Sequence, residues 1–400
     1  MRIYFIAIIF ASIGCVRNSN TPIRRDLKPA PTVTQKQVVE GVELNDEQFL
    51  GSKIFADQNL STPRGQSCQS CHSPNSAFSD PDSLLPVSQG ALATNFGGRN
   101  TPSAMYTALV PPLHLETSDE GEESFVGGLF VDGRVSSLAD QAKGPFVNPI
   151  EMGSTKLDIV SRICQSPDYG ALFKKVFGQS SCQADEKSWS EQAIEATYSQ
   201  VAQAIASFES TAIFAPFSSK FDKVSAGTET FTEQELRGFE LFKNEKKANC
   251  AACHTVDADS VAGRALFTDH TYDNLGIPKN SELANLGHTE TDFGLYETTK
   301  REENKGGFRV PSLRNIARTA PYGHNGYFKT LEQVVDFYNT RDTKPTCRKN
   351  LSAEQATKKG CWPMPEVELN ENKEELGDLK LSESEQRDLI EFLKTLSDSN

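Results

Sequence analysis

A mainly α-helical chain made of two like halves, with long loops, is the fold class this sequence predicts, and three observations predict it. The string C-x-x-C-H occurs twice, as Cys68-Gln-Ser-Cys71-His72 and Cys250-Ala-Ala-Cys253-His254. A segment with apolar residues at helical spacing leads towards each copy, and Gly51 and Gly238 stand at matching places in the two. Two long stretches, 62–98 and 255–304, show little periodicity, so they read as loops with at most short strands or hairpins.

The elements follow in chain order. Residues 1–14 carry one early charge, Arg2, and then an apolar run too short to span a bilayer, the pattern of an export signal. Cys15 follows a loose lipobox, so residues 1–15 read as a signal of lipoprotein type and residues 16–40, polar and proline-containing, as a tether. The expected location is the periplasm; a lipidated Cys15 as membrane anchor is favoured, and an ordinary cleaved signal or an unmodified thiol is the other reading. A helix starts at Asn45-Asp46 and another after Thr232, because a capping side chain with acids in the following turn satisfies free backbone N–H groups. Between them, 191–211 places Ile194, Tyr198, Val201, Ile205 and Phe208 on one face, and 382–397 forms a closing helix through Leu389, Ile390, Phe392, Leu393 and Leu396.

The repeated motif has a chemical reason. Two thiols three residues apart add across two haem vinyl groups, and the adjacent imidazole then binds the iron. Two covalently bound haem c groups follow, attached through Cys68 and Cys71 and through Cys250 and Cys253, with His72 and His254 on the irons. A zinc site or a thioredoxin-like dithiol are the alternatives; the wide separation of the pairs and the lack of a βαβ pattern weigh against them. Duplication of one cytochrome c-like unit gives an N-terminal haem domain at 41–215 and a C-terminal one at 216–400. Of nine cysteines, Cys164, Cys182, Cys347 and Cys361 remain. Three pairings are open to them; the short-range one, Cys164 with Cys182 and Cys347 with Cys361, suits an oxidising compartment, and buried free thiols are the other reading.

Residues 1–40 hold six Lys/Arg and two Asp/Glu, so the other 360 residues hold 35 and 52, a net charge of −17. Nucleic acid is a poor partner for such a surface. A small protein electron donor with a basic face is a better one.

Beyond the haem motifs, the chain resembles the bacterial di-haem cytochrome c peroxidase and MauG family across nearly the whole body. The matching strings are Gly98-Arg-Asn100-Thr-Pro102, Asp132-Gly-Arg134, Leu138 through Gln141 to Pro145, Glu151-Met152, Phe308 through Asn315, Thr319 through Gly326, and Leu331 through Tyr338. The resemblance implies that the first haem takes peroxide, with Glu151 as acid and base, Gln141 as pocket amide and Pro145 in the same wall. It implies that the second haem is six-coordinate, with Tyr338 the preferred sixth ligand and His324, His288, His270 and Met364 its rivals. One calcium ion is implied at Asn100, Thr319 and Pro321.

Two departures matter. Family peroxidases place a blocking His in the loop before the Arg-Asn-x-Pro string, whereas 80–98 holds none, so the first iron is expected to be open in the oxidised enzyme; His114 is expected to be an ordinary surface histidine. Many relatives have Trp before the Asp-Gly-Arg string, where this chain has Val131. The expected function is reduction of hydrogen peroxide with electrons from a small cytochrome c or a cupredoxin. The alternatives are MauG-like oxidation of a partner protein and a non-enzymatic electron-transfer or sensor role. A homodimer stays open.

Overall fold

The computed structural model describes residues 37–118, 121–179, 181–182, 189–259 and 263–399. The expected export signal, Cys15 and nearly all of the tether lie outside the described residues. Thirteen α-helices are found among the described residues: α1 (Asp46–Ala56), α2 (Cys68–Cys71), α3 (Leu138–Val147), α4 (Lys156–Gln165), α5 (Gly170–Phe177), α6 (Glu191–Glu209), α7 (Lys220–Ser225), α8 (Glu233–Lys243), α9 (Ser281–Asn285), α10 (Tyr296–Thr299), α11 (Leu331–Thr340), α12 (Ala353–Lys359) and α13 (Glu383–Lys394). Three antiparallel pairs of short strands complete it: β1 (Gln37–Val39) with β2 (Val42–Leu44), β3 (His114–Thr117) with β4 (Glu123–Val126), and β5 (Tyr272–Asp273) with β6 (Phe308–Arg309). No described helix is long and apolar enough to cross a membrane.

The caps sit where the sequence placed them. Asn45 and Gln48 form a capping box on α1, and Thr232 and Glu235 form one on α8. Helix α6 stops two residues earlier than expected because Thr211 turns its hydroxyl back onto the Phe208 carbonyl, 2.8 Å away. Helix α13 likewise ends before Thr395, whose hydroxyl bonds the Phe392 carbonyl. Helices α3, α4, α5 and α12 were not expected from periodicity. Two of them are short, α3 carries a proline, and burial against α6 orders α3 and α4.

Two hydrophobic cores form, one from residues between Leu44 and Phe214 and one from residues between Phe221 and Leu396. Each is built on a crossing helix pair. A Cβ at Gly51 would collide with the Ala204 carbonyl of α6, and one at Gly238 with the Asp388 carbonyl of α13, so glycine is what lets each pair approach. The Cys164–Cys182 and Cys347–Cys361 disulfides both form, closing sequence separations of 18 and 14 residues.

Local geometry repeats between the halves. Ser103 Oγ accepts from Met105 N and donates to the Ala77 carbonyl; Ser312 Oγ accepts from Arg314 N and donates to the Leu266 carbonyl. An isolated bridge joins Leu129 to Val135 before α3 and Tyr322 to Phe328 before α11. Both helices are ten residues long and are capped by Ser137 and Thr330.

Candidate functional site

Each Cys-x-x-Cys-His string opens onto a cavity. The first, of about 690 Å³, is lined by Cys68, Cys71, His72, Gln141, Pro145 and Glu151 among others. The second, of about 330 Å³, is lined by Cys250, Cys253, His254 and Tyr338. His72 Nδ1 lies 2.9 Å from the Phe78 carbonyl, and His254 Nδ1 lies 2.9 Å from the Phe267 carbonyl. A carbonyl only accepts, so Nδ1 carries the proton in both rings and Nε2 keeps its lone pair. Burial lowers both imidazoles, which keeps them neutral and ligand-competent. Phe78 and Phe267 both sit at positive φ, 52° and 56°, the kink that swings each carbonyl back to its histidine.

The four thiols are free. Burial holds Cys71 up at about 11 and Cys250 at about 12, so they are not the low-pKa thiols of a redox dithiol. Among the described residues the two pairs do not gather into one metal site; the group that does gather is Cys253, Asp273 and Glu375.

In the first cavity, Gln141 and Pro145 stand one turn apart on α3 and share a face. No protein group among the described residues bonds the Gln141 amide. Glu151 is half-buried just beyond α3, and Asn148 Nδ2 donates to its Oε1 at 2.9 Å. Burial raises the Glu151 carboxyl above its ordinary value, against the opposing pull of Asn148 and Arg134. His114, exposed, bonds the Pro112 carbonyl and Glu116 at 2.8 and 2.9 Å and lines neither cavity.

Tyr338 projects from α11 into the second cavity, and no described group bonds its hydroxyl. Burial first, then the Cys250 and Cys253 sulfurs, raise it further above an ordinary phenol. Its rivals are dispersed. Met364 is 51% exposed and lines neither cavity. His324 stacks on Phe308 with centroids 3.8 Å apart, and its Nε2 is 3.2 Å from Glu366. His288 lines the first cavity, not the second. His270 does line the second; it is buried with neither ring nitrogen hydrogen-bonded, its nearest acid being Asp259 at 4.0 Å.

Asn100, Thr319 and Pro321 all line the second cavity. Asn100 Nδ2 donates to the Pro86 carbonyl at 3.1 Å, and no hydrogen bond among the described residues occupies Asn100 Oδ1 or the Thr319 and Pro321 carbonyl oxygens. An oxygen-only donor set of this kind suits a hard cation. The two cavities share a wall, to which Asn100, Pro102, Val131, Asp292, His324 and Glu366 contribute. Trp189 and Trp362 line neither cavity.

The family model described as di-haem cytochrome c peroxidase matches residues 45–230. The methylamine utilization protein MauG of Paracoccus denitrificans is 36% identical over 359 residues, 87% of this chain and 88% of that protein. The chain belongs to the di-haem cytochrome c peroxidase and MauG family. A cytochrome c551 peroxidase of Nitrosomonas europaea is 31% identical over 334 residues, 83% of this chain and 80% of the relative. The crystal structure of the diheme peroxidase BthA from Burkholderia thailandensis superposes with a TM-score of 0.74 at 32% identity, covering 88% of this chain and 86% of that one.

As a member of this family the protein is an enzyme, a di-haem oxidoreductase, and two c-type haems are its cofactors. That sets aside the non-enzymatic reading. The residues present fit the cofactors: each cavity offers two thiols and an imidazole with a free Nε2. The second also holds buried polar atoms without a protein partner, Arg309 Nε and both nitrogens of His270, as the propionates of a haem require.

Sequence reasoning missed Glu209, which lines the first cavity at 7% exposure and is pushed up to about 8 by burial alone. Its signal was available: an acid one turn beyond Ile205 on the apolar face of α6. It missed the first-cavity place of His288, for which the unperiodic stretch around that residue held no signal.

Proposed function

We propose that this enzyme reduces hydrogen peroxide to water at the first haem, with electrons passed through the second from a small exported cytochrome c or cupredoxin. One observation carries the reading. Counting from matching caps, Ser137 and Thr330, Pro145 on α3 and Tyr338 on α11 occupy the same position of two like helices. A phenol oxygen can hold an iron there, whereas a pyrrolidine ring has no donor. The repeated helix pairs, histidine carbonyls and serine bonds support an origin by duplication and a division into haem domains near residues 41–215 and 216–400.

When bound, the haems supply the iron that takes peroxide and the store for its two oxidising equivalents. His72 and His254 would hold the irons through Nε2, each ring fixed by its Nδ1 bond to a carbonyl on the opposite edge. Glu151, a half-buried carboxylate of the first cavity, would take a proton from one peroxide oxygen and return it to the other, which would leave as water. Gln141, unpartnered, orients the peroxide by its amide. Pro145 offers the first cavity no donor atom. Over the whole reaction two electrons and two protons would convert one peroxide to two waters.

Calcium at Asn100, Thr319 and Pro321 would tie 99–101 to 319–321 across the shared wall. The two disulfides support an oxidising compartment, consistent with export to the periplasm. Oxidation of a partner protein is the second reading, favoured by the Paracoccus relative and by Tyr338; Val131, an aliphatic side chain in the shared wall, weighs against it. Peroxide-dependent steady-state oxidation of a reduced small cytochrome c tests the proposal. Turnover supports it, and oxidation of a co-exported protein with no cytochrome turnover would replace it with the second reading.

A further inference from the structure

The segment that lies over the first cavity, residues 86–98, contains no histidine of its own, yet a histidine reaches it from the other half of the chain. His288 Nε2 is 2.8 Å from the Phe96 carbonyl, and its Nδ1 packs against Gly98, where an added Cβ would stand 3.2 Å away. Because a carbonyl only accepts, Nε2 carries the proton and is directed at the segment instead of the cavity.

The anchor is rigid. His288 N donates to the Leu283 carbonyl at 2.9 Å in the turn that closes α9, and Lys279 Nζ donates to the next two carbonyls, Thr289 and Glu290, at 2.5 and 3.0 Å. Four residues on, Asp292 takes Arg99 in a bidentate pair at 2.5 and 2.7 Å. The two contacts straddle Gly97 and Gly98, so the end of the segment is held from both sides.

The segment in turn holds the acid. Ala91 N donates to the Glu151 carbonyl at 2.7 Å, Asn95 Nδ2 donates to the Pro149 carbonyl at 3.0 Å, and a Cβ at Gly90 would strike the Ile150 carbonyl. Gly90 N to the Asn95 carbonyl and Gly97 N to the Ser88 carbonyl, at 2.8 and 2.9 Å, close the segment on itself. A path of hydrogen bonds therefore runs from His288 through Phe96 to the backbone of Glu151.

We propose that His288 is a positioning residue that latches 86–98 as a fixed wall of the first cavity, so that Glu151 stays in place whatever the redox state of the second haem. The inference rests on the peroxide reading of the first cavity and adds the device that removes gating. The segment is clamped by residues of the half that carries the second Cys-x-x-Cys-His string.

Hydrogen exchange followed by mass spectrometry on the di-haem holoprotein tests it, comparing oxidised with dithionite-reduced protein. The wild-type peptides over 86–98 exchange equally slowly in both states. His288→Phe speeds that exchange at least about tenfold in both, the loss of one partly buried hydrogen bond, and slows the reaction of the oxidised first haem with peroxide; His288→Gln, which keeps a donor, restores protection. Gly98→Ala, whose Cβ would stand 3.2 Å from Nδ1 and shift the imidazole by a few tenths of an ångström, serves if His288→Phe does not fold, and a smaller speeding in the same direction is expected. A wild-type segment that opens on reduction, or variants that leave its exchange unchanged, overturns the latch. Peroxide kinetics separate this from the functional reading: a protected segment with an oxidised haem inert to peroxide would leave the latch standing and remove the open site.

Discussion

Glu151 and Tyr338 show how much a single side chain's surroundings decide. The Glu151 carboxyl must be ionised to take the first proton, and burial raises its titration above the ordinary carboxylate value. The rate of peroxide reaction with oxidised enzyme therefore falls as pH drops through that raised value. In Glu151→Gln the rate is lower by about 10²–10⁴-fold and this acid limb is absent; stopped-flow traces across pH measure both. In the proposed arrangement the Tyr338 phenol holds the second iron, so Tyr338→Phe is expected to abolish the low-spin spectrum of that haem. An unchanged spectrum would hand the position to His270, the one histidine rival confined to that cavity. The ligating histidines were legible in the sequence, because covalent haem chemistry imposes the C-x-x-C-H spacing. The Phe78 and Phe267 carbonyls that set their tautomers were not, since neither backbone turn has a residue-type signature.

At the scale of helices, the two crossings are defined by glycines. Gly51 and Gly238 each face a carbonyl of the partner helix, and alanine at either place forces α1 from α6 or α8 from α13. Gly51→Ala and Gly238→Ala should each cost about 1–3 kcal/mol, read as a lower thermal midpoint of holoprotein, with the haem spectrum of the altered half changing first. Glycine recurrence in a helical pattern announced these crossings from sequence. The helices themselves were legible where length and caps agreed, as in α1, α8 and α13. They were not legible in α3, where Gly144 and Pro145 interrupt the pattern and packing against α6 overrides propensity. The same proline that hides the helix lines the first cavity with a side chain that has no donor atom.

For the molecule as a whole, the asymmetry of the two cavities sets the order of events. With Pro145 on one side and Tyr338 on the other, oxidised enzyme reacts with peroxide at once, without prior reduction of the second haem. Stopped-flow spectra of fully oxidised protein check this; silence until dithionite or a donor is added would contradict it. The shared wall, to which Val131 contributes an aliphatic side chain, leaves inter-haem transfer to tunnelling or to another route.

What the sequence determined by itself was the chemistry that depends on neighbours along the chain: two haem attachment strings, their capped leading helices, and the order of family motifs. Those properties are local, so residue identity and spacing carry them. The tertiary structure decided what depends on contact between distant segments. It seated Pro145 and Tyr338 in matching places over separate cavities, placed an unpaired Glu209 in the first, and brought His288 across about 190 positions to Phe96. No local pattern encodes such contacts, because they exist only once two independently packed cores share a wall.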